Sequence, residues 1–169
     1  MNEAPDAEDL YARLLDGVRA GLAARNEAGR EVLLIGIHSG GAWIAERLQR
    51  DLHRETPAGT LSTAFHRDDY GRRGLPGDMK GTALPFAIEG RDIILVDDIL
   101  YTGRTVRAAM NELFDYGRPA RIELAVLLDR GGRELPIEAG YCGAVCPLAA
   151  PRNYAFARDG QGRFSLRIE

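Results

Sequence analysis

The chain has 169 residues, 45% hydrophobic and 28% charged with both signs interspersed. That is enough apolar material for one proper core and too little net charge for a disordered tail. A net charge of −3 and a pI near 5.7 argue against a wholly basic nucleic-acid-binding domain, although a local basic face is compatible with that average. No apolar run approaches transmembrane length, and "MNEAPDAEDL" is acidic where a signal peptide is basic. One domain over residues 1–169, cytoplasmic and without a membrane, is the expectation.

"DAEDLYARLLDGVRAGLAARN" repeats Leu10, Leu14, Val18 and Leu22 at a spacing of four, which predicts an amphipathic helix capped by Asp6 or Asp9. "EVLLIGI" (31–37) is a continuous apolar run, as in a strand covered on both faces. "SGG" follows as a turn. "AWIAERLQRDLHRE" then sets Trp43, Ile44, Leu48 and Leu52 on one side of a helix. "TLSTAFH" (60–66) alternates and predicts the next strand. From Arg67 to Pro85 the chain is polar, rich in Gly and without period, the pattern of a functional or disordered loop.

"RDIILVDDI" predicts a buried strand. The helix after it places Val106, Ala109, Met110 and Leu113 on one face and stops at Gly117 and Pro119. "RIELAVLLD" (121–129), a short strand near 141–146 and a final "GRFSLRIE" hairpin arm complete the chain. Strands alternating with helices indicate an α/β domain with a largely parallel sheet. Cys142 and Cys146 are expected as reduced, mostly buried thiols. A zinc site would need two more ligands, and His38, His53 and His66 are all distant in sequence.

The chemistry concentrates in "DIILVDDILYTGRTVRAAM" (92–110). Ligands of open parallel sheets bind beyond the carboxyl ends of the strands, and Asp97 and Asp98 lie at such an end. Two neighbouring acids there are unfavourable unless something positive or hydroxylic meets them. The turn that follows leads into a helix N-terminus, where free backbone N–H groups and the dipole attract an anion. Gly103 permits close backbone approach, and Thr102, Thr105 and Arg104 add donors. One end of the site therefore favours a phosphate, the other sugar hydroxyls or a cation. A ribose 5-phosphate satisfies both.

Competing readings are weaker. Asp98 as a mere helix-capping acid does not explain the pair or the Thr-Gly-Arg-Thr turn. A P-loop needs G-x4-G-K-[ST], which is absent. A phosphoacceptor receiver domain carries its acid pair early and a lysine late, whereas Lys80, the only lysine, precedes the acids.

"ILVDDILYTGRTVRAAM" resembles the phosphoribosyl-diphosphate (PRPP) signature of type I phosphoribosyltransferases. "LYTGRTVRAA…DYGRP…LLDRGGRELP", with "FHRDDYGRR" ahead of the long loop, resembles one branch of them, the PyrR family. Its members are pyrimidine-operon regulators and uracil phosphoribosyltransferases. The likeness runs from about Glu31 to Gly143, with a looser match in the first helix. It implies a type I phosphoribosyltransferase fold, a twisted, largely parallel sheet flanked by helices, with a mobile loop (about 67–85) over the active site. It also implies that uracil and PRPP give UMP and pyrophosphate.

By that resemblance Asp97 and Asp98 hold the ribose 2′ and 3′ hydroxyls near the charge developing on the sugar. Residues Tyr101, Thr102, Gly103, Arg104 and Thr105 cradle the 5′-phosphate. Ser39, Gly40 and Gly41 form the pyrophosphate loop, Mg²⁺ is held mainly through substrate oxygens, and Asp129 and Arg130 flank the base and metal. Arg67 belongs to the closing segment with Arg72, Arg73 and Lys80, although the last three read equally as a solvated charged loop. Gly40 departs from a common Thr-Arg-Gly pattern, so one cationic pyrophosphate contact is missing, for which His38 or a loop Arg is a candidate substitute.

The family's second activity, binding a pyrimidine mRNA leader under control of UMP or UTP, needs a basic surface. Arg13, Arg19, Arg25 and Arg30 around the first helix are the candidates. A catalytically weak RNA regulator, and a transferase for another base such as hypoxanthine or orotate, are the alternative readings. A homo-oligomer is expected on the same basis.

Overall fold

The computed structural model describes residues 3–64 and 81–169. Helix α1 (Ala7–Glu27) starts where Asp6 accepts hydrogen bonds from the Glu8 and Asp9 amides at 2.8 and 3.1 Å, so Asp6 is the cap. Leu10, Leu14, Val18 and Leu22 are all buried on its inner face. Strand β1 (Val32–Ile37) is buried at every position. Helix α2 (Gly40–Asp51) begins two residues earlier and ends four residues earlier than its apolar period predicts. The glycines of "SGG" are therefore its first turn. At Gly41 a Cβ would stand 2.2 Å from the Val96 carbonyl, so only a bare backbone lets the helix start this close to the sheet.

Strand β2 covers Gly59–Leu61; of the expected 60–66, residues 62–64 lie outside the strand and 65–66 outside the described residues. Beyond it the chain turns, with the Ser62 amide donating to Thr82 Oγ1 at 3.1 Å. Strand β3 (Asp92–Leu100), helix α3 (Arg104–Phe114), strand β4 (Arg121–Asp129) and strand β5 (Tyr141–Val145) follow within a residue or two of expectation. The final arm is a complete antiparallel hairpin, β6 (Tyr154–Arg158) and β7 (Phe164–Ile168). Its first strand, "YAFAR", does not stand out in the sequence.

The main sheet is parallel throughout, in the order β2-β1-β3-β4-β5. Through most of their length the strands alternate two buried faces. Leu34, Ile94, Val96 and Ala125 pack with α1, α2 and Phe164 of the hairpin, while Leu33, Ile35, Ile93, Leu95 and Val126 pack with α3. The connection from β1 runs outward one way and that from β3 the other. The carboxyl ends of β1 and β3 therefore meet at the switch point, where a parallel sheet opens a crevice. Among the described residues no helix is long and apolar enough to cross a membrane.

Candidate active site

The two turns at the switch point are those of the sequence motifs. Asp97 is buried and accepts the Asp98 amide at 2.9 Å. Asp98 accepts the Ile99 amide at 2.7 Å, while its other oxygen faces Gly40. Burial pushes the Asp98 carboxyl above its ordinary pKa, against the Ile99 amide and Asp97, which pull it down. Among the described residues no cation shifts it. The structure thus brings Asp97 and Asp98 against Gly40 and Gly41, which with Ser39 form the turn expected as the pyrophosphate loop.

Gly40 acquires a physical reason. A Cβ there would lie 2.3 Å from Asp98 Oδ2 and 2.9 Å from the Phe156 ring. The place of a side chain is taken by the acid and by the hairpin, so an arginine is sterically shut out in this arrangement. Ser39 is exposed at the helix start, and the peptide between His38 and Ser39 is cis. Phe156 escapes sequence reading because its approach to Asp98 spans more than fifty residues. The alternation of "YAFAR" around the Asp159–Gly162 turn is the signal that could have found the strand.

Beyond β3 the turn adopts the shape an anion requires. Gly103 has φ 93°, in the left-handed region, and stands at the cap of α3 without a side chain of its own. The Thr102 hydroxyl accepts the Arg104 amide at 3.2 Å. The Thr102 carbonyl accepts the Glu134 and Leu135 amides at 2.9 and 3.1 Å, which pins the turn to the loop after β4. Arg104 reaches outward to Glu134 at 2.9 Å, and Thr105 lies in the first turn of α3, half-buried. Tyr101 is 40% exposed.

Asp129 and Arg130 end β4 beside this turn. Asp129 accepts the Gly131 amide at 2.9 Å and Arg133 at 2.6 Å. Arg130 is only 4% exposed and points into the molecule. Arg67, Arg72, Arg73 and Lys80 lie outside the described residues. Arg25, one of the four candidates for an RNA-binding face, is committed elsewhere: it is only 16% exposed and pairs with Asp92 at 2.9 Å and Glu123 at 2.6 Å. Arg13, Arg19 and Arg30 remain at the surface. Cys142 and Cys146 are free and half-buried, and burial raises the Cys142 thiol.

Comparison with known proteins agrees with this geometry. The phosphoribosyl transferase domain model matches residues 6–153. The bifunctional protein PyrR of Ralstonia nicotianae is 51% identical over 168 residues, 97% of this chain and 94% of that protein. That of Pseudomonas aeruginosa strain PAO1 is 48% identical over 145 residues, 85% of this chain and 84% of that one. A hypoxanthine-guanine phosphoribosyltransferase structure from Bacillus anthracis superposes with TM-score 0.63 at 22% identity, covering 87% of this chain and 85% of the other. That likeness establishes the type I phosphoribosyltransferase fold. With about half of its residues shared across nearly the whole of both chains, this protein belongs to the PyrR family of phosphoribosyltransferases.

Proposed function

We infer that the protein is a uracil phosphoribosyltransferase of the bifunctional PyrR type. The observation that carries the reading is the Asp97–Asp98 pair set beside the left-handed Gly103 turn at the sheet's switch point. In the reaction the bond from ribose C1′ to pyrophosphate breaks and a bond from C1′ to uracil N1 forms. The N1 proton is lost and pyrophosphate leaves with the electron pair. Positive charge grows on the ribose, so the protein's share is positioning and electrostatics.

Asp97 and Asp98 hold the ribose hydroxyls and lie near that charge. An ionised Asp98 is costly while buried beside another acid, and an electron-poor ribose offsets the cost. Gly103, Thr105 and the amides opening α3 take the 5′-phosphate, with the Thr102 hydroxyl and the Tyr101 backbone completing the turn. Ser39, Gly40 and Gly41 offer bare backbone to the pyrophosphate. Arg67 keeps the closing role that the resemblance implies, and Asp129 borders the base.

The donor set fits a magnesium ion that arrives with the substrate. Two carboxylates stand at one strand end, and among the described residues no three His, Cys, Asp or Glu side chains gather into a full cage. When bound, Mg²⁺ neutralises charge on the departing pyrophosphate.

The test is conversion of labelled uracil to UMP by purified protein with PRPP and Mg²⁺, with hypoxanthine, adenine and orotate in parallel. Uracil-selective turnover is expected; selective turnover of another base overturns the assignment. A second reading, a nucleotide-sensing regulator that binds pyrimidine mRNA leader, is supported by the "bifunctional" name of the relatives. It requires a steep salt dependence of RNA binding and a response to UMP or UTP, and no binding at low salt rejects it. The expected homo-oligomer is read by light scattering on the same preparation.

A further inference from the structure

Arg130 is the buried cation that the mechanism above leaves unused. One face of its guanidinium lies 3.9 Å from the centre of the Tyr101 ring. Its edges donate to Asn153 Oδ1 at 2.8 Å, to the Leu148 carbonyl at 2.9 Å and to the Arg152 carbonyl at 3.2 Å. Its Nε is buried without a hydrogen-bond partner. None of these contacts is a carboxylate. A buried cation that is imperfectly hydrogen-bonded and has no counter-ion is a poor device for stability alone.

The contacts join two parts of the site. Tyr101 opens the phosphate turn. Asn153 roots the hairpin, exchanging two 2.8 Å backbone hydrogen bonds with Glu169 at its far strand. Three residues on, Phe156 stands against Gly40 and Asp98. The turn itself is fixed separately, through Thr102 and through Arg133, which donates to the Tyr101 carbonyl at 2.6 Å. Gly132, at φ 78°, lies so close to the ring that a Cβ would come within 2.6 Å of it. The Tyr101 backbone therefore has its own supports, whereas its ring and the Leu148–Asn153 segment share one guanidinium.

We propose that Arg130 is a positioning residue for phosphoribosyl transfer. It sets the spacing between the Tyr101 ring and the segment that roots the hairpin, and, next in sequence to Asp129, so holds the side of the site that the proposed function gives to the base. This rests on the transferase reading. Both terminal nitrogens are engaged within the protein, so Arg130 acts through the groups it holds.

The experiment is a double-variant cycle of Arg130→Lys and Tyr101→Leu, with uracil and PRPP varied separately. Lysine keeps the charge but loses the planar stack and the fork. For Arg130→Lys, kcat/KM for uracil is expected to fall at least about tenfold, while KM for PRPP stays within about threefold, because the phosphate turn keeps its own supports. The two changes together should be little worse than the worse of them alone. Wild-type kinetics in Arg130→Lys, equal losses on both substrates, or losses that multiply in the double variant overturn the proposal. Should Arg130→Lys fail to fold, Asn153→Ala removes one of its anchors and should reproduce the uracil-side loss; an unaltered KM for uracil there overturns it. If the wild-type chain turns over no uracil, the transferase reading fails instead. The same cycle in thermal midpoints then decides: coupling supports the shared support, and additivity overturns it.

Discussion

Two arginines brace the terminal hairpin from opposite sides, and their surroundings differ in one respect. Arg47 forks onto Glu8 with bonds of 2.9 and 2.7 Å and lies over the rings of Tyr11 and Phe164 at 4.1 and 4.7 Å. Glu8 also accepts the Phe164 amide, and Tyr11 donates to Asp51 at 2.8 Å. Every charge in that cluster is answered by an opposite one. Around the carboxyl ends of β3 and β4 the pattern reverses: among the described residues no cation shifts the buried Asp98, and the buried Arg130 has no carboxylate partner. The first cluster holds α1, α2 and the hairpin together. The second leaves the buried Asp98 without a cation among the described residues, in the place we propose for a ribose that turns electron-poor in the transition state.

The contrast yields variants of opposite behaviour. Asp98→Asn should cost at least about a hundredfold in turnover, the loss of charge stabilisation beside the transition state. It should also raise Tm by about 2–4 °C, the equivalent of about 1 kcal/mol in a chain of this size, by removing a buried charge. A drop in Tm would show that the carboxylate is structurally balanced after all. Gly40→Ala forces its methyl against Asp98 and Phe156 and should lower turnover by about tenfold or more with a stability loss of about 1–3 kcal/mol. Unaltered kinetics would show that the acid moves freely.

Glu8→Ala is the mirror image. Charge-assisted hydrogen bonds contribute about 1.5–3 kcal/mol, so Tm should fall by about 3–12 °C while turnover per folded molecule holds. Acidity sharpens the same pair. The Arg47 hydrogen bond holds Glu8 below its ordinary pKa, so its contribution is present above the unfolded value and lost as pH falls through the folded one. Asp98 is raised, so its burial penalty grows as pH rises through the folded pKa and vanishes below the unfolded value. On acidification from pH 7 to 4, the Tm deficit of Glu8→Gln and the Tm gain of Asp98→Asn should both shrink. The smallest effect belongs to the exposed Arg19–Asp16 pair, where Arg19→Ala should change stability by no more than about 0.5 kcal/mol.

Much of this arrangement was legible in the sequence because it is local. Strands β1, β3 and β4 declare themselves as apolar runs, and Asp97 through Thr105 carry acids, turn and helix start within nine residues. What stayed hidden depends on contacts across the chain. Gly40 reads as a missing cation until Asp98 and Phe156 are seen to fill its space. Arg130 reads only as a neighbour of base and metal, and nothing local shows that its guanidinium turns inward, onto Tyr101 and the hairpin root. Arg25 reads as a surface charge until Asp92 and Glu123, carried by two different strands, converge on it. No local period encodes such meetings.

The most direct test of the proposal that Asp98 at the end of β3 meets PRPP is the effect of PRPP on thermal stability with Mg²⁺. A ligand that binds the folded state raises Tm by an amount that grows with the logarithm of its concentration over Kd. Tighter binding therefore gives a larger shift at the same concentration. Saturating PRPP should raise the Tm of the wild-type chain by several degrees and that of Asp98→Asn by much less, although the variant starts from a higher midpoint. Equal shifts in the two proteins would place the substrate elsewhere and contradict the account.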